Sequence, residues 1–212
     1  MLITLFTLAV PLLASFYGVS AQYIDPPTNP HSTIETFSFG QSMDRAQSLN
    51  VTDSKNTTVM TINTTLKNAD AIHYAMDLTL LPSQERLQVK INAGMVWCGF
   101  KQTYKILKND VDIHQFMVDP RGALIDRWHI KKRGDLTHSY TWKRHATDLT
   151  GVVKRDDKRK VAYLKATWPR WDQKTNSESP PKFEVITNGD VPLEILVALY
   201  ASAIVRGLYC NL

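Results

Sequence analysis

Cysteine is almost missing from this chain: Cys98 and Cys210 are the two among 212 residues. Two thiols are too few for a zinc site made of cysteine alone, which usually takes four, and too few for a fold in which cross-links replace a core. Histidine pairs spaced i, i+2 or i, i+4 are also missing among the six histidines, so no metal-ligand spacing stands out. The chain has no G-x-G-x-x-G, Walker loop, G-x-S-x-G elbow, H-E-x-x-H or C-x-x-C. Enzymes of the common motif classes, and any cofactor those motifs hold, are therefore not expected. With 43% hydrophobic and 21% charged residues the composition is that of an ordinary globular domain, which excludes a disordered tail.

What is present begins with Leu2 to Val19, apolar and uncharged, followed by the small residues Val19-Ser20-Ala21. This pattern predicts a signal peptide over 1–21, cut before Gln22, and hence secretion to an extracellular location; an uncleaved membrane anchor is the minor alternative. Residues 22–46, with Pro26-Pro27 and Asn29-Pro30, read as a flexible Pro/Ser/Thr-rich leader. Asn50, Asn56 and Asn63 each open a glycosylation sequon. In an oxidising compartment Cys98 and Cys210 can form a disulfide; the competing reading is a buried, unpaired Cys98 within the apolar run Met95 to Phe100.

The rest, 47–212, is one domain's length. Short β-branched and aromatic segments alternate with turn residues and predict strands at Val59–Leu66, Ala71–Leu80, Arg86–Ile91, Met95–Lys101, Ile113–Val118, Ala123–Ile130, Thr137–Arg144, Val161–Trp168 and Phe183–Thr187. Tight turns such as Asn188-Gly189-Asp190 join antiparallel neighbours. The stretch 192–206, PLEILVALYASAIVR, reads as a helix with apolar residues on every face. At roughly 22 Å it is too short for a bilayer core of about 30 Å, so no transmembrane segment is expected in the mature chain and protein must enclose the helix. The fold class that follows is mainly β (α+β): an antiparallel β-barrel wrapped around a buried C-terminal helix.

That arrangement resembles the tubby C-terminal-like superfamily, which includes tubby proteins, phospholipid scramblases and the LURP-one-related proteins. The detailed likeness is to fungal tubby-like proteins. It rests on Ala123-Leu124-Ile125, on His138-Ser139-Tyr140-Thr141-Trp142-Lys143-Arg144, on Val161-Ala162-Tyr163-Leu164 and on the Val191–Arg206 helix, and spans roughly Gln47 to Arg206. The resemblance implies a barrel threaded by the helix. Two departures stand out: most members act inside cells, whereas this chain carries secretory features, and no calcium-loop pattern supports a scramblase-like activity. The phosphoinositide-binding side chains of tubby proteins have no residue-by-residue match here.

A net charge of +5 makes anionic partners the first to consider. The candidate anion-binding residues are the basic turn Lys131, Lys132 and Arg133 and the run Lys154, Arg155, Lys158, Arg159 and Lys160, read as a hairpin tip that Asp156 and Asp157 partly neutralise. If both turns lie at one end of the barrel they form one patch. Arg133-Gly134-Asp135 is the tripeptide that integrins recognise, but Gly and Asp are also what a tight turn prefers. Trp97 and Trp142 alternate with polar neighbours and read as core, whereas Trp168, Arg170 and Trp171 are the candidate contact surface. The expectation is a secreted, non-enzymatic binding protein for an extracellular or anionic ligand, with no strong nucleic-acid signal. Its rivals are a structural or partner-binding surface protein and a small basic ribonuclease-like hydrolase, in which His114, His129, His138 and His145 would converge with Glu184.

Overall fold

Alternation sets the strands, because side chains spaced two apart share one face of the sheet. In the computed structural model, which describes residues 23–40, 47–64, 75–92, 94–121, 126–144, 148–168, 171–172 and 177–210, the chain forms β1 (Glu35–Gly40), β2 (Gln47–Thr52), β3 (Thr58–Thr64), β4 (Ala75–Leu80), β5 (Glu85–Ile91), β6 (Gln102–Lys108) and β7 (Val111–Pro120). It continues through β8 (Asp126–Ile130), β9 (Tyr140–Lys143), β10 (Gly151–Arg155), β11 (Lys160–Thr167), the short pair β12 (Trp171–Asp172) and β13 (Ser177–Glu178), β14 (Lys182–Thr187) and α1 (Leu193–Cys210). Twelve strands close into an antiparallel barrel: β2 to β11 follow one another in order, and β14 slots between β11 and β1.

The inward positions are filled by side chains such as Met60, Ile62, Leu78, Val89, Phe116 and Trp128, all at 1% exposure or less. At their centre lies α1, buried continuously from Ile195 to Gly207. Aromatic rings wrap one side of the helix in an arc: Tyr104 stacks on Phe116 at 5.0 Å, Trp128 and Trp142 follow, and Tyr200 of α1 meets Trp142, Phe183 and Phe39 edge-on at 5.7 to 6.0 Å. Offset and edge contacts of this kind add to plain burial. Gly151 makes room for the arc, since a Cβ there would stand 2.2 Å from the Lys143 carbonyl oxygen and 2.8 Å from Trp142 Nε1.

Both ends of the helix are tied. At its start, Asn188-Gly189-Asp190 turns with Gly189 at φ 81°, and the Asp190 carboxylate accepts from Thr28 N at 2.9 Å and Thr28 Oγ1 at 2.6 Å. At its far end Arg206, 1% exposed, donates to Asp126 Oδ2 at 3.1 Å, the Trp97 carbonyl at 2.6 Å and Gln102 Oε1 at 3.2 Å. A disulfide joins Cys98 to Cys210. Of the two readings of the thiols, the paired one holds.

Several expectations change. The segment read as a leader supplies β1, whose Phe37 and Phe39 face inward, so the barrel begins at Glu35 rather than at 47. β2, β6 and β10, and the short pair β12 and β13, were not expected. Met95–Lys101 is a connection instead of a strand: Gly94 and Gly99 adopt left-handed backbone (φ 72° and 79°), and Gln102 and Arg206 pin the loop. Trp97 is consequently 46% exposed and is not core, while Trp142 is fully buried as expected. The helix runs past Arg206 to Cys210. Residues 1–21, read as a signal peptide, and Ala123-Leu124-Ile125 lie outside the described residues.

Enclosure of α1 predicts that Leu196→Asp, which places a carboxylate at the barrel centre, leaves no cooperatively folded protein. Urea unfolding followed by near-ultraviolet circular dichroism checks this; a soluble mutant with a native transition would overturn the helix placement.

Candidate functional site

The two basic turns do lie at one end of the barrel. Tyr140, the first residue of β9, pairs with Ile130 at the end of β8 and with Arg155 at the end of β10, so the 131–139 and 156–159 connections emerge side by side. Asp156 welds them. Its backbone N–H donates to the Ser139 carbonyl at 2.9 Å, and its carboxylate takes the Ser139 N–H at 3.2 Å and His138 Nδ1 at 3.0 Å. These hydrogen bonds, the Ser139 N–H first, hold the Asp156 carboxyl below the usual carboxylate range.

The arginines expected to face a ligand are committed to the fold. Arg155 forks onto Asp157, donates to Thr28 Oγ1 and reaches Asp190 at 3.7 Å. Its grip keeps the Asp157 carboxyl well below the ordinary range. Arg159 donates to the Pro26 carbonyl, and Arg133 reaches the Asp112 carboxylate at 3.4 Å. Lys131, Lys132, Lys154, Lys158 and Lys160 form no ion pair among the described residues.

The outer wall of β8 to β11 extends this patch. On it Arg127 stands directly opposite Lys143, and Lys154 directly opposite Lys160. Like charges opposed across strands repel and destabilise a sheet unless counter-charges sit beside them. Elsewhere in the barrel that condition is met: Lys90 opposes Lys105, and Asp110 at 3.9 Å from the first and Asp112 at 3.6 Å from the second compensate the pair. Arg127, Lys143, Lys154 and Lys160 make no ion pair among the described residues, and Arg127 Nε is buried without a hydrogen-bond partner. The outer two still have a carboxylate beside them: Asp119 on β7 stands directly opposite Arg127, and Asp25 Oδ2 takes the Lys160 N–H at 2.8 Å. Lys143 and Lys154, at the centre of the wall, face no carboxylate across the strands. Between the two pairs runs a shallow groove of 290 Å³ lined by Thr141, Lys143, Val152 and Lys154. Sequence reading missed Arg127 and Lys143; alternation places each on an outer face, but only the pairing register sets them opposite one another.

A second cavity, 450 Å³, opens beside the start of α1 between Glu85, Asp112, His114, Arg133, Asp135 and Glu194. Here the Arg133-Gly134-Asp135 turn folds onto His114, whose Nδ1 lies 3.3 Å from the Arg133 carbonyl and Nε2 3.4 Å from the Asp135 carboxylate. Gly134 is needed twice over: φ is 66°, and a Cβ would stand 2.8 Å from the Ile113 carbonyl oxygen and 3.2 Å from His114 Cε1. The tripeptide is a structural turn. Burial, with Asp135 and Glu85 nearby, raises the Glu194 carboxyl above its ordinary value against the opposing pull of its own N–H and of His114.

The described histidines of the candidate set have separate partners: His114 bonds the 133–135 turn, His129 Nδ1 meets Thr141 Oγ1 at 3.1 Å, and His138 meets Asp156. Glu184 is held on β14 by Lys182 at 2.9 Å and Lys165 at 3.0 Å. His145 lies outside the described residues. Trp168 is 42% exposed with its ring edge-on to Phe183; Arg170 and the Trp171 side chain lie outside the described residues. Asn50 is exposed on β2, Asn56 sits in the β2–β3 turn at φ 64°, and Asn63 is half-buried on β3.

The chain matches no family model, no curated protein and no solved structure. The closed barrel with its enclosed helix fits a tubby-like barrel in shape.

Two outcomes follow from this geometry. Gly134→Ala should cost more than about 1 kcal/mol in urea unfolding, because alanine there meets both a left-handed backbone and a blocked Cβ position; an unchanged midpoint would mean the turn does not sit on His114. Glu194 has a raised pKa in the fold, so it stabilises when protonated, and that contribution is lost as pH rises through the folded value. Glu194→Gln should therefore raise Tm at neutral pH and leave it nearly unchanged at about pH 3, where the carboxyl is neutral in both states. Equal shifts at both pH values would contradict the raised pKa.

Proposed function

We propose that this chain is a secreted, non-enzymatic binding protein of the tubby-like kind, whose basic wall and adjoining turns take an anionic ligand. Lys143 and Lys154 carry the reading, each opposed by a cation across one strand boundary, Arg127 and Lys160, and by no carboxylate across the other. A fold gains nothing from opposing cations without counter-charges, whereas a bound anion supplies them. Lys131, Lys132 and Lys158 at the adjoining turns add free cations within range of the same field. Support for secretion comes from the apolar segment Leu2 to Val19, from sequons whose asparagines sit on β2, its turn and β3, and from a disulfide, a cross-link that persists in oxidising compartments. Support for the tubby-like kinship comes from the barrel shape and its helix.

The test uses two double variants with the same change in net charge. Lys143→Glu/Lys154→Glu reverses the wall, and Lys90→Glu/Lys105→Glu reverses the compensated pair on β5 and β6. In binding to heparin at physiological salt, the first should lose at least about tenfold in affinity and the second far less, since attraction between exposed charges is screened beyond about 8 Å. Equal losses would reduce the effect to net charge and remove the site.

A further inference from the structure

Resting on the anion-binding reading above, we infer that the ligand of the β8–β11 wall is an extended sulfated or carboxylated polysaccharide. The cations form a diagonal band, Arg127 on β8, Lys143 on β9, Lys154 on β10 and Lys160 on β11. Neighbouring strands lie about 4.8 Å apart, so the band crosses three spacings, about 14 Å. One phosphate or sulfate group touches two of these side chains at most. Spanning the band takes several anionic groups spaced along a line, centred on Lys143 and Lys154.

The chemistry of the wall narrows the class. Three of the four cations are lysines, compact hydrated charges that recognise anions without the planar fork arginine offers to phosphate and to base edges. Single-stranded nucleic acid needs aromatic faces on which bases stack. Here Trp128 and Trp142 are fully buried, and Tyr163, beside Val152, is already covered by the Tyr23 ring at 4.5 Å. Duplex sequence reading needs an element that enters a groove, and the wall is a smooth run of paired strands. A bilayer surface favours apolar or interfacial aromatic side chains beside the cations. Of those with large exposure among the described residues, Trp97, Phe100, Val111, Trp168, Leu208 and Tyr209 are not part of the band, and Tyr23 alone borders it, with its ring already stacked on Tyr163. What the groove does offer is Thr141, bonded to His129, and the half-buried Val152, a mixed surface suited to the hydroxyls and ring edge of a sugar.

Isothermal titration of the full chain at physiological salt decides the matter, with a heparin octasaccharide, its disaccharide, inorganic sulfate, single- and double-stranded oligonucleotides of equal charge, and vesicles doped with phosphatidylserine. The octasaccharide should bind at least about tenfold more tightly than every other probe, with affinity falling steeply in added salt. Lys143→Gln/Lys154→Gln, mild surface changes, should flatten that salt dependence while leaving Tm intact. Equal affinity for disaccharide or sulfate would overturn the extended ligand, and tighter binding of nucleic acid or vesicles would overturn the polysaccharide; either result leaves anion binding standing. Failure to bind any of the probes would overturn both readings.

Discussion

A helix that is apolar on every face has no stable position at a surface, and this single constraint organises the molecule. Each residue from Ile195 to Gly207 must be removed from water at once, which no single sheet face can do. A closed ring of strands can. Closure also satisfies the edge hydrogen bonds that an open sheet would leave exposed, so the enclosure of the helix and the absence of free edges in the barrel have one solution. The aromatic arc, Gly151 and the tethers at Asp190 and Arg206 adjust the fit of that solution.

Because the interior is filled, polar chemistry is displaced to the outside. Among the charged groups that do enter, Arg206 on Asp126 and the Trp97 carbonyl, and Arg155 beside Asp190, hold the ends. Arginine serves where a fixed fork is needed, and lysine is left facing solvent. That division separates the candidate residues named from the sequence into structural ones, Arg133, Arg155 and Arg159, and free ones, Lys131, Lys132, Lys154, Lys158 and Lys160.

The helix and most of the strands were legible because burial writes a period into the sequence, 3.6 or 2, and all-round burial writes a run. β1 and β2 carry that period too, as Phe37/Phe39 and Leu49/Val51, but two inward residues among Ser, Thr and Asn are too weak a pattern beside prolines and sequons. β10 opens with a glycine demanded by the Lys143 carbonyl, a contact that no local pattern announces. The run Met95 to Phe100 misled in the opposite sense: only Val96 in it is buried, Cys98 ties it to the end of α1, and the left-handed Gly94 and Gly99 deny it strand backbone. The cation band was legible only in part, since opposition of Arg127 to Lys143 is a property of register and not of either segment.

The position of β14 has a bearing on how the chain acquires its shape. It is the last strand in sequence, yet it pairs with both β11 and the first strand β1, and the element after it becomes the axis of the whole barrel. Contacts of such high sequence separation make for slow folding. During synthesis the edges of β1 and β11 that β14 joins have no partner, and the inward faces of the meander have nothing to enclose, until β14 and α1 have emerged. The nascent barrel is therefore most prone to aggregate between the emergence of β11 and that of β14 and α1, while the meander's edges stand open.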